Sequence, residues 1–571
     1  MIANPAATIY PAVSLVRLLA LSPAATMRAV TKRQERDSRL MASLARSLGV
    51  TPPAAGLRQL AEQTRTPLHR LHGLVSFFPH LQAQPDDAIA VCSDLSCRLA
   101  EPHLLETLQA AGKAARPCSC LGHCERPAAL AMGGRIYTGV TTRGAADELT
   151  RAPTVVSPPG GECHRLDPYD GAAPYSQLRR LATSNDAEAV LRQLHASGLR
   201  GCGGAGFSTA RKWAVVREQP AEEKFVVCNA DESEPGTFKD RFLLERYPHL
   251  VIEGLVLAAL VVGARKALVF LRHEYEAARV ALTAALAAAQ QLGAVGEAMF
   301  QSRHAVEVTI CVSPGGYICG EESALLEVLE GRRAEPRNRP PFPASHGLWG
   351  QPTLINNVET LAWVPAIVAH GGDWFAASGL NGSAGLKVVA LSGQVNRPGV
   401  YEIALGLRAR DFIEQYGGGV RDGRRLKAFA PGGASAGFLP AALSNVPLAF
   451  EPLAAAGSML GAGAVIVLAQ GTCMVDAALT QLRFFRNESC GKCAPCRLGT
   501  QQLVDIVAAW TDGKAAPNDR ALVTEVAAAM QATSICGLGQ AAPNALLSVL
   551  AHFPEEVEAH LHGRCPEGVC P

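Results

Sequence analysis

Eight of the 17 cysteines in this 571-residue chain fall into two groups of four, and this clustering constrains the fold more strongly than any other feature. In the second group, Cys490, Cys493 and Cys496 follow C-x-x-C-x-x-C spacing, and Cys536 supplies a fourth thiol. Three thiolates on one turn can hold three irons of a cubane, which a distant fourth thiolate completes. Because zinc sites built from two C-x-x-C pairs usually lack a third cysteine in the same run, this spacing favours a [4Fe–4S] cluster over zinc.

The first group consists of two cysteine pairs. Cys92 and Cys97 form a C-x4-C pair, and Cys120 and Cys124 form a C-x3-C pair. With each pair following a strand, four thiolates suit a [2Fe–2S] cluster that takes one pair per iron. The spacing is less diagnostic than that of the second group, so zinc or purely structural cysteines stay open as alternatives.

The composition predicts a well-packed soluble protein of several domains. Hydrophobic residues make up 48% of the chain, charged residues make up 18%, and the formal net charge is +2. This balance argues against a nucleic acid or an anionic membrane surface as the partner. The apolar stretch near the start is interrupted by Pro11, Arg17 and Pro23, and the stretch at 250–262 is too short to cross a bilayer and predicts a buried core helix. We therefore expect no membrane insertion, and a reducing cytoplasm suits clustered thiols better than disulfides.

Composition shifts along the chain predict six segments. Helical spacing at the start gives way to strands and helices, then to a Pro- and Gly-rich linker at 157–161, a larger α/β region and a glycine-rich region with short β-like runs. The predicted segments are a loose tail (1–32), a helical bundle (33–81), a small α/β domain (82–152), a larger α/β domain (153–378), a β-rich domain (379–458) and a helical domain (459–571).

Four polar loops predict a cofactor site in the larger α/β domain. The loop SGLRGCGGAGF at 197–207 satisfies G-x-G-x-x-G and leads into a helix, so its backbone can approach a phosphate. A helix-like segment precedes it where the usual dinucleotide fingerprint has a strand, so alone it is a weak signal. Asparagines and paired acids follow in NADESEPG at 229–236, PGGYICGEE at 314–322 and LINNVET at 354–360. Together the loops favour a cofactor over a solvated acidic turn.

These motifs resemble the flavin subunit of respiratory complex I and its relatives, the diaphorase subunits of NAD-linked hydrogenases and formate dehydrogenases. The resemblance covers 170–560 and rests on SGLRGCGGAGF, VCNADESEPGTFKDR, GGYICGEESALL, PPFPASHGLWGQPTLINNVET, ESCGKCAPCRLGT and SICGLG. The first 150 residues, with CSDLSC and CLGHC, resemble the thioredoxin-like [2Fe–2S] subunit of the same enzymes. The resemblance implies a multidomain α/β protein with a thioredoxin-like [2Fe–2S] domain, a Rossmann-like FMN/NADH domain, a β-grasp domain and a helical [4Fe–4S] bundle.

The resemblance also implies site residues, motif by motif. The residues implied to hold FMN are Gly201, Gly203, Gly204, Lys212, Asn229, Asp231, Tyr317, Gly320, Glu321, Asn356 and Asn357. Those implied to line the NADH pocket are Phe207, Glu234, Glu322, Arg339 and Phe342. The [4Fe–4S] ligands are Cys490, Cys493, Cys496 and Cys536, and the [2Fe–2S] ligands are Cys92, Cys97, Cys120 and Cys124. No side chain is expected to act as acid, base or nucleophile, because the flavin carries the hydride chemistry.

The sequence departs from the family pattern near the nucleotide. Cys202 stands for the family's arginine in G-R-G, Ser233 for the glycine of D-E-G-E, Val215 for an aromatic residue and Arg339 for a lysine. Glu234 and Glu322 are expected to repel the extra phosphate of NADP, which favours NAD.

Four residues outside the predicted ligand sets are expected to bind no cluster. Cys118 is interpreted as a bystander and His123 as a solvent-facing loop residue. Cys565 and Cys570 resemble the start of a ferredoxin-like segment appended in some relatives, but two cysteines cannot hold a cluster, so a disordered tail is predicted.

The resemblance implies hydride transfer between NAD(H) and FMN, followed by one-electron transfer through the clusters. We expect the β subunit of a cytoplasmic NAD-dependent formate dehydrogenase, partnered by a molybdenum- or tungsten-containing α subunit. The alternatives are the diaphorase of an NAD-linked hydrogenase, the flavin subunit of complex I, and an electron-transfer scaffold that has lost NAD binding. Val215 and Arg339 are the only support for the scaffold.

Overall fold

The structure is a computed structural model that describes residues 40, 44, 53–82, 85, 87–144, 159–161, 163–169 and 174–570. The predicted loose tail, residues 33–52 of the helical bundle except 40 and 44, and residues 157 and 158 of the linker lie outside the described residues. Three β-sheets organise the described part of the chain, and each belongs to a different segment of the sequence.

The first sheet follows a pair of short helices and has the strand order β2-β1-β3-β4. β1 and β2 are parallel, because two helices return the chain between them, whereas β3 is antiparallel to both β1 and β4. Sequence analysis missed β2 and β4. β2 is an edge strand interrupted by Pro117, and both strands have only four residues, too few for a clear alternating pattern. The elements are α1 (Pro53–Thr64), α2 (Leu68–Phe77), β1 (Ile89–Cys92), α3 (Leu95–Ala100), α4 (Leu104–Ala110), β2 (Ala115–Cys118), β3 (Ala129–Met132) and β4 (Arg135–Thr138).

The second sheet is wholly parallel, with the order β7-β6-β5-β8. The central strands β5 and β6 are almost completely buried, as expected of a sheet covered on both faces. Its strands are β5 (Phe225–Ala230), β6 (Lys266–Leu271), β7 (Glu307–Val312) and β8 (Thr353–Asn357). The carboxyl ends of parallel strands share one edge, which is where open α/β sheets bind ligands.

Helices cover this parallel sheet. The helices are α5 (Ser176–Ser184), α6 (Ala187–Ser197), α7 (Thr209–Arg217), α8 (Lys239–Arg246), α9 (Pro248–Val262), α10 (Glu276–Gln291), α11 (Glu322–Leu329), α12 (Val358–His370) and α13 (Gly372–Ala377). α9 is the core helix predicted at 250–262, and its one acid, Glu253, is fully buried. The Glu253 carboxylate accepts hydrogen bonds from the backbone N–H groups of Tyr175 and Leu178, which offsets the cost of burying its charge.

The third sheet has the order β10-β9-β13-β11-β12 and a separate apolar core. Its last strand lies beside β9 in parallel register, at residues 464–469, so the sheet extends past the predicted domain boundary at 458. The elements are β9 (Leu386–Gly393), β10 (Gly399–Ala404), α14 (Ala409–Asp411), β11 (Leu426–Ala430), β12 (Leu439–Pro440), α15 (Phe450–Ala455) and β13 (Ala464–Ala469).

The remainder of the described chain is helical, as the sequence predicted. Its helices are α16 (Met474–Glu488), α17 (Ala494–Thr511), α18 (Asp519–Thr533), α19 (Gly537–Ala541), α20 (Asn544–His552) and α21 (Pro554–Leu561). In the part of the chain that the structure describes, no helix has both the length and the apolar character needed to cross a bilayer.

Candidate functional site

The four polar loops of the larger α/β domain meet at the carboxyl edge of its parallel sheet. Asn229, at the end of β5, donates from its side-chain amide to the carbonyl of Gly320 at 2.8 Å. The Asp231 carboxylate accepts a hydrogen bond from the Ser313 hydroxyl at 2.5 Å. Burial raises the pKa of Asp231, and the bonds from Ser233 and Ser313 oppose that shift. These contacts bring the 229–236 and 314–322 loops together, as the motifs predicted.

The glycine loop lies against the end of β8 and the start of α12. The backbone N–H of Cys202 donates to the Thr360 hydroxyl at 2.9 Å. A Cβ built on Gly203 would lie 3.0 Å from the Cβ of Asn357, so only glycine allows this approach without a shift. Gly204 has a φ of +134°, and a Cβ placed there would meet nothing within 4 Å. The loop therefore has a left-handed backbone beside open space, which suits close approach of a phosphate or flavin ring.

The two predicted amides at the end of β8 also form hydrogen bonds with the surrounding protein. Asn356 is buried and accepts a hydrogen bond from the Trp213 indole at 2.8 Å. Asn357 caps α12 by accepting from the Glu359 backbone N–H at 2.9 Å, and it donates to the Asp240 carboxylate at 2.5 Å. These bonds fix the orientation of both side chains at the edge of the site.

Four predicted site residues form two partly exposed ion pairs. Lys212 pairs with Glu322, and Arg339 pairs with Glu321. Glu321 also caps α11, accepting from the backbone N–H of Ser323 at 2.9 Å. All four charged residues were predicted from the sequence, and the structure brings the members of each pair together.

The two predicted aromatic residues of the NADH pocket are the most exposed members of the set. Phe207 is 49% exposed and Phe342 is 56% exposed. Exposed aromatic rings next to a polar cleft can stack on planar ligands.

Glu234, another predicted NADH-pocket residue, contacts Ser435, which lies between β11 and β12 of the third sheet. Its carboxylate accepts from the Ser435 backbone N–H at 2.7 Å and from the Ser435 hydroxyl at 3.1 Å. The Tyr317 hydroxyl lies 3.1 Å from the same serine hydroxyl. Burial raises the pKa of Glu234, and the bonds from Tyr317 and Ser435 oppose that shift. Sequence analysis missed Ser435, which lies outside every motif and 201 positions from its partner.

The C-terminal thiols gather beside this site. Cys490 and Cys493 are half-buried, whereas Cys496 and Cys536 are buried at the starts of α17 and α19. Burial, followed by the charges of other thiols in the group, raises the pKa of Cys496 to about 12. Burial also raises the pKa of Cys536 to about 11, while backbone N–H groups of Gly539 and Leu538 point at its sulfur and oppose that shift. Four converging thiols with N–H donors aimed at sulfur fit a cluster whose net charge needs compensation.

The N-terminal thiols converge as well. The sulfurs of Cys120 and Cys124 lie 3.4 Å apart, and hydrogen bonds with the Cys120 and Cys97 thiols raise the pKa of Cys92. All four predicted ligands are at most 5% exposed. Cys118 pairs with Cys92 in the β1–β2 register and so lies beside the group, and its role as a bystander stays a prediction.

Two arginines of the larger α/β domain hold the loop that carries the second cysteine pair. Arg241 donates to the Glu125 carboxylate at 2.6 Å and lies 2.8 Å from His123 Nδ1. Arg272 donates to the carbonyl of Cys120. The prediction that His123 faces solvent is therefore wrong: desolvation, followed by the charge of Arg241, lowers its pKa well below the usual range.

Glu488 links the two thiol groups. Its carboxylate accepts from the Tyr317 backbone N–H at 2.6 Å and hydrogen-bonds the Ser119 side chain. Ser119 precedes Cys120, and Glu488 lies two residues before Cys490. One half-buried acid, two residues before Cys490, thus contacts both the segment that carries Cys120 and the polar loop at 314–322. Sequence analysis missed it, although it is the second residue of the NESCGKC run.

Three domain families match the chain. The Nuo51 FMN-binding domain matches 194–366, the SLBB domain matches 388–439, and the NADH-ubiquinone oxidoreductase-F iron–sulfur binding region matches 476–560. The F 2 subunit of NADH-quinone oxidoreductase from Rhizobium meliloti (strain 1021) is 43% identical over 71% of this chain and 96% of that protein. The chain belongs to the family of the 51 kDa flavin subunit of complex I.

Other members of this family belong to hydrogenases. The NADP-reducing hydrogenase subunit HndC of Solidesulfovibrio fructosivorans is 40% identical over 71% of this chain and 82% of that protein. A chain of the NAD+-reducing [NiFe]-hydrogenase in its H2-reduced state superposes with a TM-score of 0.82 and 32% identity, covering 92% of both chains. That coverage exceeds what residues 153–571 alone could provide, so the likeness extends into the N-terminal segment.

Membership of this family establishes the general type of protein and its main domains. The protein is an NADH dehydrogenase-type flavoprotein subunit with a Rossmann-like FMN domain, an SLBB domain and a C-terminal helical [4Fe–4S] region. FMN, NADH and a [4Fe–4S] cluster are the cofactors that these matches support.

Proposed function

We propose that this chain is the diaphorase subunit of a cytoplasmic multi-subunit complex. It exchanges a hydride between NAD(H) and FMN, and it exchanges single electrons with two iron–sulfur clusters. One observation carries the proposal: the polar loops at the sheet edge touch the segment that bears the C-terminal thiols. The Tyr317 ring lies 5.1 Å from the Phe484 ring, and its backbone N–H binds Glu488. Bound FMN supplies the exchange between a hydride donor and one-electron carriers.

The chain's own residues bind and orient the cofactors in this proposal. The glycine loop at Gly201, Gly203 and Gly204 approaches the flavin phosphate, with Lys212 as the cation. The polar contacts to the flavin come from Asn229, Asp231, Tyr317, Gly320, Glu321, Asn356 and Asn357. The exposed faces of Phe207 and Phe342 stack on the dinucleotide, while Glu234, Glu322 and Arg339 line its pocket. Since Lys212 offsets the charge of Glu322, the electrostatic preference for NAD over NADP depends mainly on Glu234.

We assign the N-terminal thiols to a [2Fe–2S] cluster in a thioredoxin-like domain. The support is the convergence of Cys92, Cys97, Cys120 and Cys124, together with the likeness to the hydrogenase chain that extends into this segment. The contacts of Glu488 with Tyr317 and Ser119 connect the segments that carry the two thiol groups, which supports electron exchange between the two proposed clusters.

The partner that supplies electrons is proposed to be a molybdenum- or tungsten-containing formate dehydrogenase subunit, on the family resemblance of the fused architecture. A hydrogenase partner is the second candidate, and the 92% coverage of the NAD+-reducing hydrogenase chain favours it. Purification of the native complex, with NAD+ reduction assayed separately on formate and on hydrogen, distinguishes them. Activity with formate alone supports the first proposal, and activity with hydrogen alone replaces it with the second.

The alternative of a scaffold without NAD binding makes a different prediction for the isolated chain. Val215 is 38% exposed, and Arg339 keeps the positive charge of the family's lysine and pairs with Glu321, so neither departure from the family pattern is evidence against NAD binding. The proposal predicts that NADH drives ferricyanide reduction by the purified, FMN-loaded chain. Loss of that activity in Phe207→Ala, with flavin content unchanged, would support a role for this ring in binding the dinucleotide. A wild-type chain that holds FMN but never reduces ferricyanide with NADH is instead a scaffold.

A further inference from the structure

Four potential metal ligands, none of them in the two predicted cluster ligand sets, meet at the end of the helical domain. They are Cys473, which caps the start of α16, His560 in α21, and Cys565 and Cys570 in the segment that follows. One ligand atom from each lies within 4.8 Å of all the others. The prediction of a disordered tail is therefore wrong here, because the last two thiols fold back onto residues about 90 positions earlier.

The distances match a tetrahedral site. The sulfurs of Cys473 and Cys570 lie 3.7 Å apart, and His560 Nε2 lies 3.4 Å from the first and 3.5 Å from the second. A tetrahedral zinc with Zn–S of about 2.3 Å and Zn–N of about 2.0 Å requires S···S edges of about 3.7 Å and S···N edges of about 3.5 Å. Cys473, His560 and Cys570 thus already have the spacing that a bound zinc ion requires, and the Cys565 sulfur lies within 4.8 Å of all three ligand atoms.

The orientation of the histidine supports the same interpretation. His560 Nδ1 lies 2.7 Å from the carbonyl of Glu556, one helical turn earlier. A hydrogen bond from Nδ1–H to that carbonyl selects the tautomer with a free lone pair on Nε2, which is the atom turned toward the thiols. Metal-binding histidines are usually oriented by such a bond from the other ring nitrogen.

Ion pairs and a backbone N–H donor around the four side chains also support a metal site. Lys427 on β11 pairs with Glu567 at 2.7 Å and with Glu556 at 2.6 Å, and it donates to the carbonyl of Thr472 at 2.6 Å. The backbone N–H of Asp476 donates to the Cys473 sulfur at 3.4 Å. Lys427 therefore connects Thr472, Glu556 and Glu567, each within four residues of a proposed ligand. The N–H group of Asp476 compensates the negative charge of the Cys473 thiolate.

A disulfide does not explain the cluster. The 3.7 Å separation of the Cys473 and Cys570 sulfurs is far longer than an S–S bond of about 2.05 Å, and the three cysteines of the group are all unbridged. Iron–sulfur ligation is also a poor fit, because the sulfur atoms are too close together to enclose a cluster of several irons.

We propose that Cys473, His560, Cys565 and Cys570 bind one structural Zn²⁺ ion. Binding displaces the protons of the three thiols to solvent and leaves the metal four-coordinate, with no open position for substrate. The ion joins the C-terminal segment to the start of α16, whose other end, about 22 Å away, leads into the C-terminal cysteine group. It thereby fixes the helix that positions the [4Fe–4S] ligands.

Metal analysis of the full chain, carrying its clusters and purified from zinc-containing medium, tests this proposal. We expect one zinc per chain, and zinc-edge X-ray absorption with three sulfur ligands and one nitrogen ligand. Cys565→Ser and Cys570→Ser should each lower the zinc content at least tenfold, with the electron paramagnetic resonance (EPR) signals of both clusters retained. Cys311→Ser is the matched control, since Cys311 is equally half-buried but lies outside the group, and its zinc content should stay at one per chain.

Two outcomes would overturn the proposal. The first is a folded chain with both clusters and no zinc, or with a mononuclear iron in its place. The second is zinc that persists in the Cys565→Ser, Cys570→Ser double variant. If these variants fail to fold, the absorption spectrum of the wild-type chain decides alone, because a zinc edge without three sulfur ligands contradicts the assigned site.

Discussion

The two predicted cluster groups are built from the same number of thiols but are supported in different ways. The N-terminal thiols are at most 5% exposed and are covered by Arg241, Arg272 and Tyr275 of another domain. In the C-terminal group two of the four thiols are half-exposed, and the support is local, from Ser489 and from backbone N–H groups. Burial by a neighbouring domain makes the first group part of an interface, whereas the ligands of the second group lie at the starts of two helices of one domain.

This difference explains why the sequence identified the second group more securely. Three of its four ligands lie within residues 490–496, and the N–H donors to the fourth ligand, Cys536, come from the next few residues, Leu538 and Gly539. Each of its two segments therefore contains most of its own support. The first group depends on contacts with residues more than 100 positions away. The residues that surround these thiols can therefore be identified only from the folded structure.

The sharpest test of two separate centres is a reciprocal pair of ligand substitutions. Cys120→Ser should abolish the [2Fe–2S] EPR signal and leave the [4Fe–4S] signal intact, because removal of one ligand opens a single cluster. Cys496→Ser should do the reverse. Total iron and the EPR spectrum of each reduced variant measure the effect. Loss of both signals from either substitution would show that the two groups form one centre.

The next largest effect concerns the interface. Arg241→Ala leaves Glu125 charged, buried and unpaired, which should destabilise the docked N-terminal domain by about 3–5 kcal/mol. Arg279→Ala breaks an exposed pair with Glu276 and should cost at most about 1 kcal/mol. Urea-dependent proteolysis of the N-terminal segment compares them. Equal sensitivity of the two variants would mean that the arginine contacts do not hold the first group in place.

A pH dependence follows from Glu232, which supports the same interface. Burial, followed by the charge of Asp240, raises the pKa of Glu232 to about 7. The folded state thus favours the neutral acid. Its stabilising contribution is complete below the ordinary pKa and is lost as pH rises through 7, by about 3 kcal/mol at most. Thermal unfolding from pH 5 to pH 8 should show a decline that Glu232→Gln flattens. An identical pH profile in Glu276→Gln and Glu232→Gln would contradict this.

The smallest effect concerns Glu488, the acid shared by both groups. Removing its negative charge in Glu488→Gln should stabilise reduced clusters by about 1 kcal/mol, and raise both reduction potentials by tens of millivolts. Because burial raises the pKa of Glu488, the shift should be larger at pH 8 than at pH 6. Potentiometric EPR titration measures it. A shift confined to one cluster would place Glu488 with that cluster alone.

The sequence was sufficient for features that depend on nearby residues. It identified the four polar loops, the core helix at 250–262, both thiol groups and the helical C-terminal domain. It missed strands of four residues, because such short runs show no clear period. It also misplaced the boundary at 458, since β13 returns to pair with β9 after an intervening helix.

The remaining errors concern partners distant in sequence. His123 was predicted to face solvent because Arg241, 118 positions later, cannot be seen from its motif. The tail thiols were predicted to be disordered because Cys473, 97 positions before Cys570, belongs to no recognisable spacing. In both cases a residue without a visible partner was interpreted as free, whereas the tertiary fold provides one.

The central claim is that NADH delivers electrons through one flavin site to clusters in the same chain. Anaerobic titration of the isolated, cofactor-loaded chain with NADH, followed by EPR, tests it most directly. The account predicts that substoichiometric NADH bleaches the flavin absorbance and produces the reduced [4Fe–4S] signal, with the [2Fe–2S] signal accompanying or following it. Clusters that stay oxidised under NADH, yet are reduced by dithionite, would contradict the claim.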